Sequence, residues 1–551
     1  MLCLVLVDDS GVRFWLSWTC ARGAPALGEW SRMPLVASRE QSAARFLRVL
    51  AIEAVWAVVA VALALAVVTH LAGPTGRAEL MFLDGDSMIV PLFSRSILEG
   101  TAEQWAMSAV LFVPEAFAFL ALSVVGFGIH EAQFVSAVLN FVGLYLAFRV
   151  AAVTIAKGNR AAFAATAGFV AVCLIALTES NGDGDSLQLA SLLAMTTYYA
   201  ATVLGAVLTV GLTRRILATI SLQRVLAIMV FVVAAVSVFS NPLYLAWVTA
   251  PLVLVVLVVC AGAAWGRSPT WALAALVGGS VLGLLLRIPL APWIVANPDN
   301  YFQPGRARGS FAHYWSLLVE RLSSPAGVFA VAMVIALTLL GAWLTVRSLR
   351  QGAIASAVVA AYSWFAPLAA TVGFILMGTE AARYLQLWAF APALALVVLV
   401  ADAQPAKLAA APWRRLVAFA TVLALLGGVL FVVALPAAVE RATAADPSLE
   451  CAVNWVNQSD AVGAGQFWSV RAIKTHVADP SQLIQVDFAL RDYAWLVDRA
   501  DFAQPAVSFL IVDDHSVPFT LPPGAENLPA STIDCGRFQI LDYSPASITR
   551  P

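Results

Sequence analysis

The chain contains Asp-Gly-Asp-Ser twice, at Asp84–Ser87 within FLDGDSMIVPLF and at Asp183–Ser186 within SNGDGDSLQLAS. Carboxylates on either side of a glycine, beside apolar runs, have two kinds of chemistry open to them. A carboxylate desolvated at an apolar boundary holds its proton more tightly and can serve as a general base. In an extended chain alternate side chains point the same way, so Asp84 and Asp86 together could also clamp a divalent cation, Mg or Mn, against a phosphate. The plain alternative is an Asp-Gly turn that caps the helix starting at Ser87. At Asp183 and Asp185 that alternative weighs more, with Asp185 or Ser186 as the N-cap of the next helix.

Further polar candidates sit beside apolar segments. Arg383-Tyr384, in GTEAARYLQLW, suits a lipid-linked phosphate at a membrane boundary, or serves as an interfacial anchor. Glu115 follows Pro114 in the short apolar stretch 113–128, where it is either a first-turn acid favoured by the helix dipole or a site residue. The loop 292–324 mixes Trp293, Tyr301, Phe302, Tyr314 and Trp315 with Arg306, Arg308 and His313, a composition that a sugar or headgroup site and an aromatic belt share. His313 has no second His or Cys at a ligand spacing.

The elements that must hold these residues follow from composition. Of 551 residues, 61% are hydrophobic and 12% charged, against about 25% charged in soluble domains; the mean hydropathy is +0.85. This is a polytopic membrane protein, all-α in its membrane part. Its net charge of −1 gives no reason to expect nucleic acid. Spans of about 20 residues are expected near 48–70, 132–156, 161–179, 187–212, 223–239, 243–265, 271–291, 325–346, 353–377, 384–402 and 415–437. The stretch 113–128 is too short and reads as a re-entrant or interfacial helix.

Eleven spans sort the charges. One side receives Arg39, Arg45, Arg149, Lys157, Arg214, Arg215, Arg347 and Lys407; the other receives Asp84, Asp86, Glu179, Asp183, Asp185, Asp299 and Glu380. By the positive-inside rule the N-terminus is cytoplasmic and both Asp-Gly-Asp-Ser stretches are extracytoplasmic, in a multi-pass protein of the plasma (inner) membrane. Arg95, Arg306, Arg321 and Arg383 break the rule on the outside, which suggests an anion site or local ion pairs.

The expected domains are an N-terminal arm over 1–44, flexible and cytoplasmic, a membrane domain over 45–437 with a large outside loop at 71–131, and a soluble α/β domain over 438–551. Met33 is as good an initiator as Met1. In the last domain, SLECAVNWVN reads as a helix and LIQVDF, SFLIVDD and FQILDY as strands, with AGQFWSVRAIKTH either helix or strand. Cys451 and Cys535 lie near its two ends and can pair in an oxidising compartment. Gly463-Ala464-Gly465 lacks the third glycine of a phosphate loop.

This order of parts resembles the GT-C superfold of integral-membrane glycosyltransferases, which use polyprenyl-phosphate-linked sugars. The resemblance rests on the first span, the outside loop with FLDGDS, the short helix VPEAFAFLALSVVG, the basic turn AKGNR, the second acidic loop TESNGDGDS and the late ARYLQLW. It implies that Asp84 or Asp86 is the base that activates an acceptor, and that Arg383 holds the donor phosphate. From the residues themselves, Tyr384, Glu115, Asp183, Asp185 and His313 are further candidate substrate contacts, and Arg95 a second candidate for the phosphate. The acceptor would be an envelope glycan, lipid or protein, and the surroundings membrane lipid. The rival readings are a transporter or lipid-intermediate flippase, with sites at mid-membrane depth, and an envelope sensor or scaffold.

Overall fold

The computed structural model describes residues 35–153, 159–262, 265–295, 302–403, a few positions between 436 and 444, 446–522 and 529–551. Among these, nine helices are long and apolar enough to cross a membrane: Ala51–Leu71, Ile129–Ala152, Asn159–Ala176, Ala200–Ala218, Gln223–Ser240, Arg267–Leu290, Pro325–Arg350, Ile354–Met377 and Ala382–Ala401. Leu245–Ala261 is a shorter apolar helix at the expected sixth span. The expected eleventh span, 415–437, and most of the N-terminal arm lie outside the described residues.

At one end of these helices basic side chains meet the few acids. Arg214, fully buried, lies 2.6 Å from Asp402 and donates to the Ala151 carbonyl at 2.7 Å. Arg149 pairs with Glu53, and Arg160 donates to the Ala403 carbonyl at 2.7 Å. The opposite end carries both Asp-Gly-Asp-Ser stretches and Arg383. As expected, Val113–Val125 is a short apolar helix, opened by Pro114 and closed by Gly126 in the left-handed conformation.

Two expectations are corrected. The span expected at 187–212 begins only at Ala200. The preceding chain, Leu187–Tyr199, is irregular and mostly buried. Side chains satisfy its backbone: Glu179 accepts from the amides of Ala190 and Ser191 at 3.1 and 2.7 Å, and Arg77 donates to the Gln188 carbonyl at 2.9 Å. Non-helical chain survives beside lipid only where protein supplies such partners. The supposed loop 292–324 contains the helix Ala307–Leu322, whose Phe311 and Trp315 are more than half exposed while Tyr314 is buried.

In the C-terminal region five strands form one sheet, in the order Leu483–Gln485, Gly463–Gly465, Phe509–Val512, Phe538–Asp542, Ser531–Cys535. The first three run parallel, and Phe538–Asp542 runs antiparallel to both of its neighbours. AGQFWSVRAIKTH therefore supplies both elements: a strand at Gly463–Gly465, then the helix Phe467–His476. Gly463 is a packing residue, since a Cβ there would stand 2.1 Å from the Phe509 ring. The helix Pro447–Ser459 is capped by Asp446, which accepts from the Leu449 amide at 2.9 Å. A Cys451–Cys535 disulfide fastens that helix to the edge strand.

The sheet region is tied to the membrane helices by several bonds. Trp105 and Ala106 pair antiparallel with Asp498 and Val497, Arg537 pairs with Glu79, and Arg471 reaches the first Asp-Gly-Asp-Ser turn.

Candidate active site

The helix Gly76–Phe82 ends just before Asp84, and the helix Ile89–Glu99 starts after Ser87. Between them the chain turns instead of extending. Asp84 Oδ1 accepts the Asp86 amide at 3.0 Å, and Ser87 Oγ donates to the Leu80 carbonyl at 2.6 Å. Thr197 and Thr196 hydroxyls donate to the carbonyls of Asp86 and Ser87 at 2.8 and 2.9 Å. From the sheet region Arg471 Nη1 donates to the Gly85 carbonyl at 3.3 Å, and a Cβ at Gly85 would stand 3.0 Å from the Phe467 carbonyl. A side chain between the two acids would press on Phe467, which would have to give way.

The second stretch makes the same local turn. Asp185 donates its amide to Asp183 Oδ1 at 2.8 Å, and Ser186 Oγ donates to the Asp183 carbonyl at 2.9 Å. Buried Arg77 holds it from below, donating to Ser186 Oγ at 3.0 Å. Asp185 caps no span, for the helix begins at Ala200. Its Oδ1 instead accepts the Ala382 amide at 2.6 Å, and its Oδ2 lies 3.1 Å from His313 Nε2.

Both turns thus converge on one short segment, Ala382–Leu385. Asp185 holds its backbone at Ala382, and Asp86 Oδ2 faces Arg383 Nη1 at 3.2 Å. The Arg383 guanidinium also lies 5.9 Å from the centre of the Tyr198 ring. Its Nε is buried with no hydrogen-bond partner among the described residues.

Two cavities meet at this point. A polar one of about 990 Å³ is lined by Asp84, Asp183, Asp185, Arg306, Trp468 and Trp495, among others. An apolar one of about 320 Å³ is lined by Asp86, Ile89, Phe112, Leu243, Phe374 and Met377, among others. Arg383, Tyr198 and Tyr384 line both. The two acids of FLDGDS therefore look into different spaces, which corrects the expectation of side chains pointing the same way: the turn at Gly85 separates them.

Electrostatics separates them further. Burial first, and the neighbouring Asp86 charge second, push the Asp84 carboxyl up to about 7. Asp86 is held against a guanidinium. Burial also raises Asp185, opposed by the Ala382 amide and by His313. Backbone strain accumulates here too: Phe112, Tyr199 and Leu496 adopt φ of 49°, 66° and 54°, and all three line the apolar cavity. Non-glycine residues in this region cost on the order of 1–3 kcal/mol each and cluster at functional sites.

Three expected contacts line neither cavity: His313, which touches Asp185 from outside them, Glu115 and Arg95. Glu115 lines neither cavity: its Oε1 accepts the Ala201 amide at 3.0 Å at the start of the helix Ala200–Ala218, and burial pushes its carboxyl up to about 7. Arg95 pairs with Glu99 at 2.6 Å and donates to the carbonyls of Val477 and Ala478 at 2.6 and 2.5 Å, so it docks the sheet region. Tyr198, Tyr199, Trp468, Trp495 and Arg471 escape the sequence reading. The tyrosines were hidden inside an apparently continuous span, and the others sit in a region with no motif.

The donor set does not favour a resident cation. Among the described residues no three His, Cys, Asp or Glu groups converge on one point. The Asp84–Asp86 pair offers two carboxylates, one already facing a fixed guanidinium that would repel a metal ion.

The chain matches no known family model, and no curated protein matches it.

Proposed function

We propose that this chain is an integral-membrane glycosyltransferase of the GT-C kind, moving a sugar from a polyprenyl-phosphate donor to a cell-envelope acceptor on the extracytoplasmic face. The observation that carries this reading is Arg383, with an unpartnered buried Nε, standing where an apolar and a polar cavity meet. A donor that is half hydrocarbon and half sugar, joined through a phosphate, has that same order of parts. Two further facts support the sidedness. The end of the bundle remote from the site carries Arg149, Arg160 and Arg214, as cytoplasmic ends do, and the domain on the site's face holds a disulfide.

In this reading the prenyl chain enters the apolar cavity, the phosphate meets Arg383, and the sugar lies in the polar cavity beside Asp84. Asp84 takes the proton of the acceptor hydroxyl as its oxygen attacks the anomeric carbon from the face opposite the phosphate. The bond from that carbon to the phosphate oxygen breaks, and polyprenyl phosphate leaves with the electron pair. Arg383 stabilises the charge gained by the leaving group. Asp86 keeps the guanidinium aimed while Asp185 fixes its backbone.

The test is complementation of a deletion strain. Asp84→Asn and Arg383→Ala, stably inserted, are expected to leave an envelope glycan missing that the natural chain restores. Full complementation by both variants would overturn the reading.

A further inference from the structure

The sheet region contributes Trp468, Trp495, His515 and Arg537 to the wall of the polar cavity that Asp84 also lines. We propose that these residues form an acceptor subsite for a carbohydrate chain of several sugars, so that the acceptor is a glycan and not a protein side chain or a lone lipid headgroup. The inference rests on the transferase reading above.

Three observations carry it. The first is size: about 990 Å³ is at the upper end of the roughly 300–1,000 Å³ usual for ligand pockets, more than one transferred sugar requires. The second is chemistry. Trp468 is 42% exposed although it belongs to a small α/β region with its own core, and flat indole faces beside polar groups suit the C–H faces and hydroxyls of sugars. The lining holds five carboxylates, Glu79, Asp84, Asp183, Asp185 and Glu380, against three guanidinium groups, those of Arg306, Arg383 and Arg537. Arg306 and Arg537 are already paired, with Glu380 and Glu79, so the cavity offers no excess of positive charge to a polyanion.

The third is preorganisation. The Trp468 ring packs edge-on against Phe467 at 4.7 Å, and the Arg471 guanidinium covers the Phe467 ring at 4.1 Å. Arg471 Nη2 and Gln485 Nε2 both donate to the Trp495 carbonyl at 2.9 Å. Phe467 in turn packs on Gly85, so the aromatic platform and the Asp84 turn are fixed to one another. A ligand lying on Trp468 shares the cavity into which Asp84 faces.

The experiment uses the full-length protein in detergent and oligosaccharides of increasing length cut from the envelope polysaccharide of the source cell. Binding is measured on the Asp84→Asn variant, which holds acceptor without turnover. Affinity is expected to rise with chain length, and adding Trp468→Ala to lower it about tenfold while Trp468→Phe keeps most of it. Without the Asp84 change, Trp468→Ala should lower kcat/KM for acceptor by a similar factor. Affinity that is absent, independent of length, or indifferent to Trp468→Ala overturns the glycan subsite and leaves Trp468 a membrane-surface anchor. Should Asp84→Asn abolish transfer all the same, the transferase reading stands without it; transfer that survives Asp84→Asn sinks that reading instead.

Discussion

Arg383 Nη1 and Asp86 Oδ2 lie 3.2 Å apart although 297 residues separate them in sequence. The guanidinium faces the first acidic turn and lines both cavities, and its Nε has no partner among the described residues. Lysine cannot copy this, because a point charge replaces a fork with several directed donors. Arg383→Lys and Arg383→Ala should each lower kcat for the proposed sugar transfer by about 10²–10³. The check is steady-state turnover at saturating donor, which separates lost transition-state charge stabilisation from weakened binding.

As the proposed base Asp84 must be ionised to accept a proton, and its carboxyl is pushed up to about 7. The rate should therefore rise with pH, about tenfold per unit below 7, and level off above it. Asp84→Asn should remove the rise along with the activity. The same shift has a consequence for stability with a definite sign. The folded protein binds this proton more tightly than the unfolded chain, so stability declines as pH rises from about 4 through 7. Above pH 7 Asp84→Asn should melt at a higher temperature than the natural chain, and near pH 4 the difference should vanish.

Arg471 acts on the site through the turn it holds. Burial lowers its guanidinium to about 9, so it is charged at neutral pH beside Asp84 and Asp86. Arg471→Met removes that charge and the bond to the Gly85 carbonyl. The rising limb of the pH profile should move to higher pH, because one attraction favouring ionised Asp84 is gone. A merely structural arginine would lower activity without moving the limb.

The Cys451–Cys535 disulfide closes a loop of 84 residues. Replacing both cysteines with serine should destabilise the sheet region by about 2–5 kcal/mol. Thermal unfolding of the full chain, followed with and without reductant, would show the loss in the natural chain only when reductant is present.

Much of the frame was legible in the sequence because apolar runs of membrane length depend only on local composition. The short helix after Pro114, the strands of the last region and the Cys451–Cys535 pair were legible for similar reasons. Leu187–Tyr199 was not: its apolar residues look like a span, and only the buried partners Glu179 and Arg77, distant in sequence or invisible as partners, show why it stays unwound. The site was half legible. Asp84, Asp86 and Arg383 stood out as charges beside apolar runs, but the turn that sends the two acids into different cavities depends on Arg471 and Phe467, some 380 residues away. Glu115 and Arg95 line neither cavity, and the sequence could not show this, because a charge in an apolar setting looks the same whether it caps a helix, docks a domain or binds a substrate.

The most direct measurement of the central claim is donor turnover by the purified full-length protein. Polyprenyl-phosphate-linked sugars are incubated with the natural chain, Asp84→Asn and Arg383→Ala in the presence of envelope acceptor, and free polyprenyl phosphate is quantified by mass spectrometry. Release by the natural chain, with at least a hundredfold loss in both variants, is the result predicted. Equal release by all three proteins, or none from the natural chain with any such donor, would contradict it.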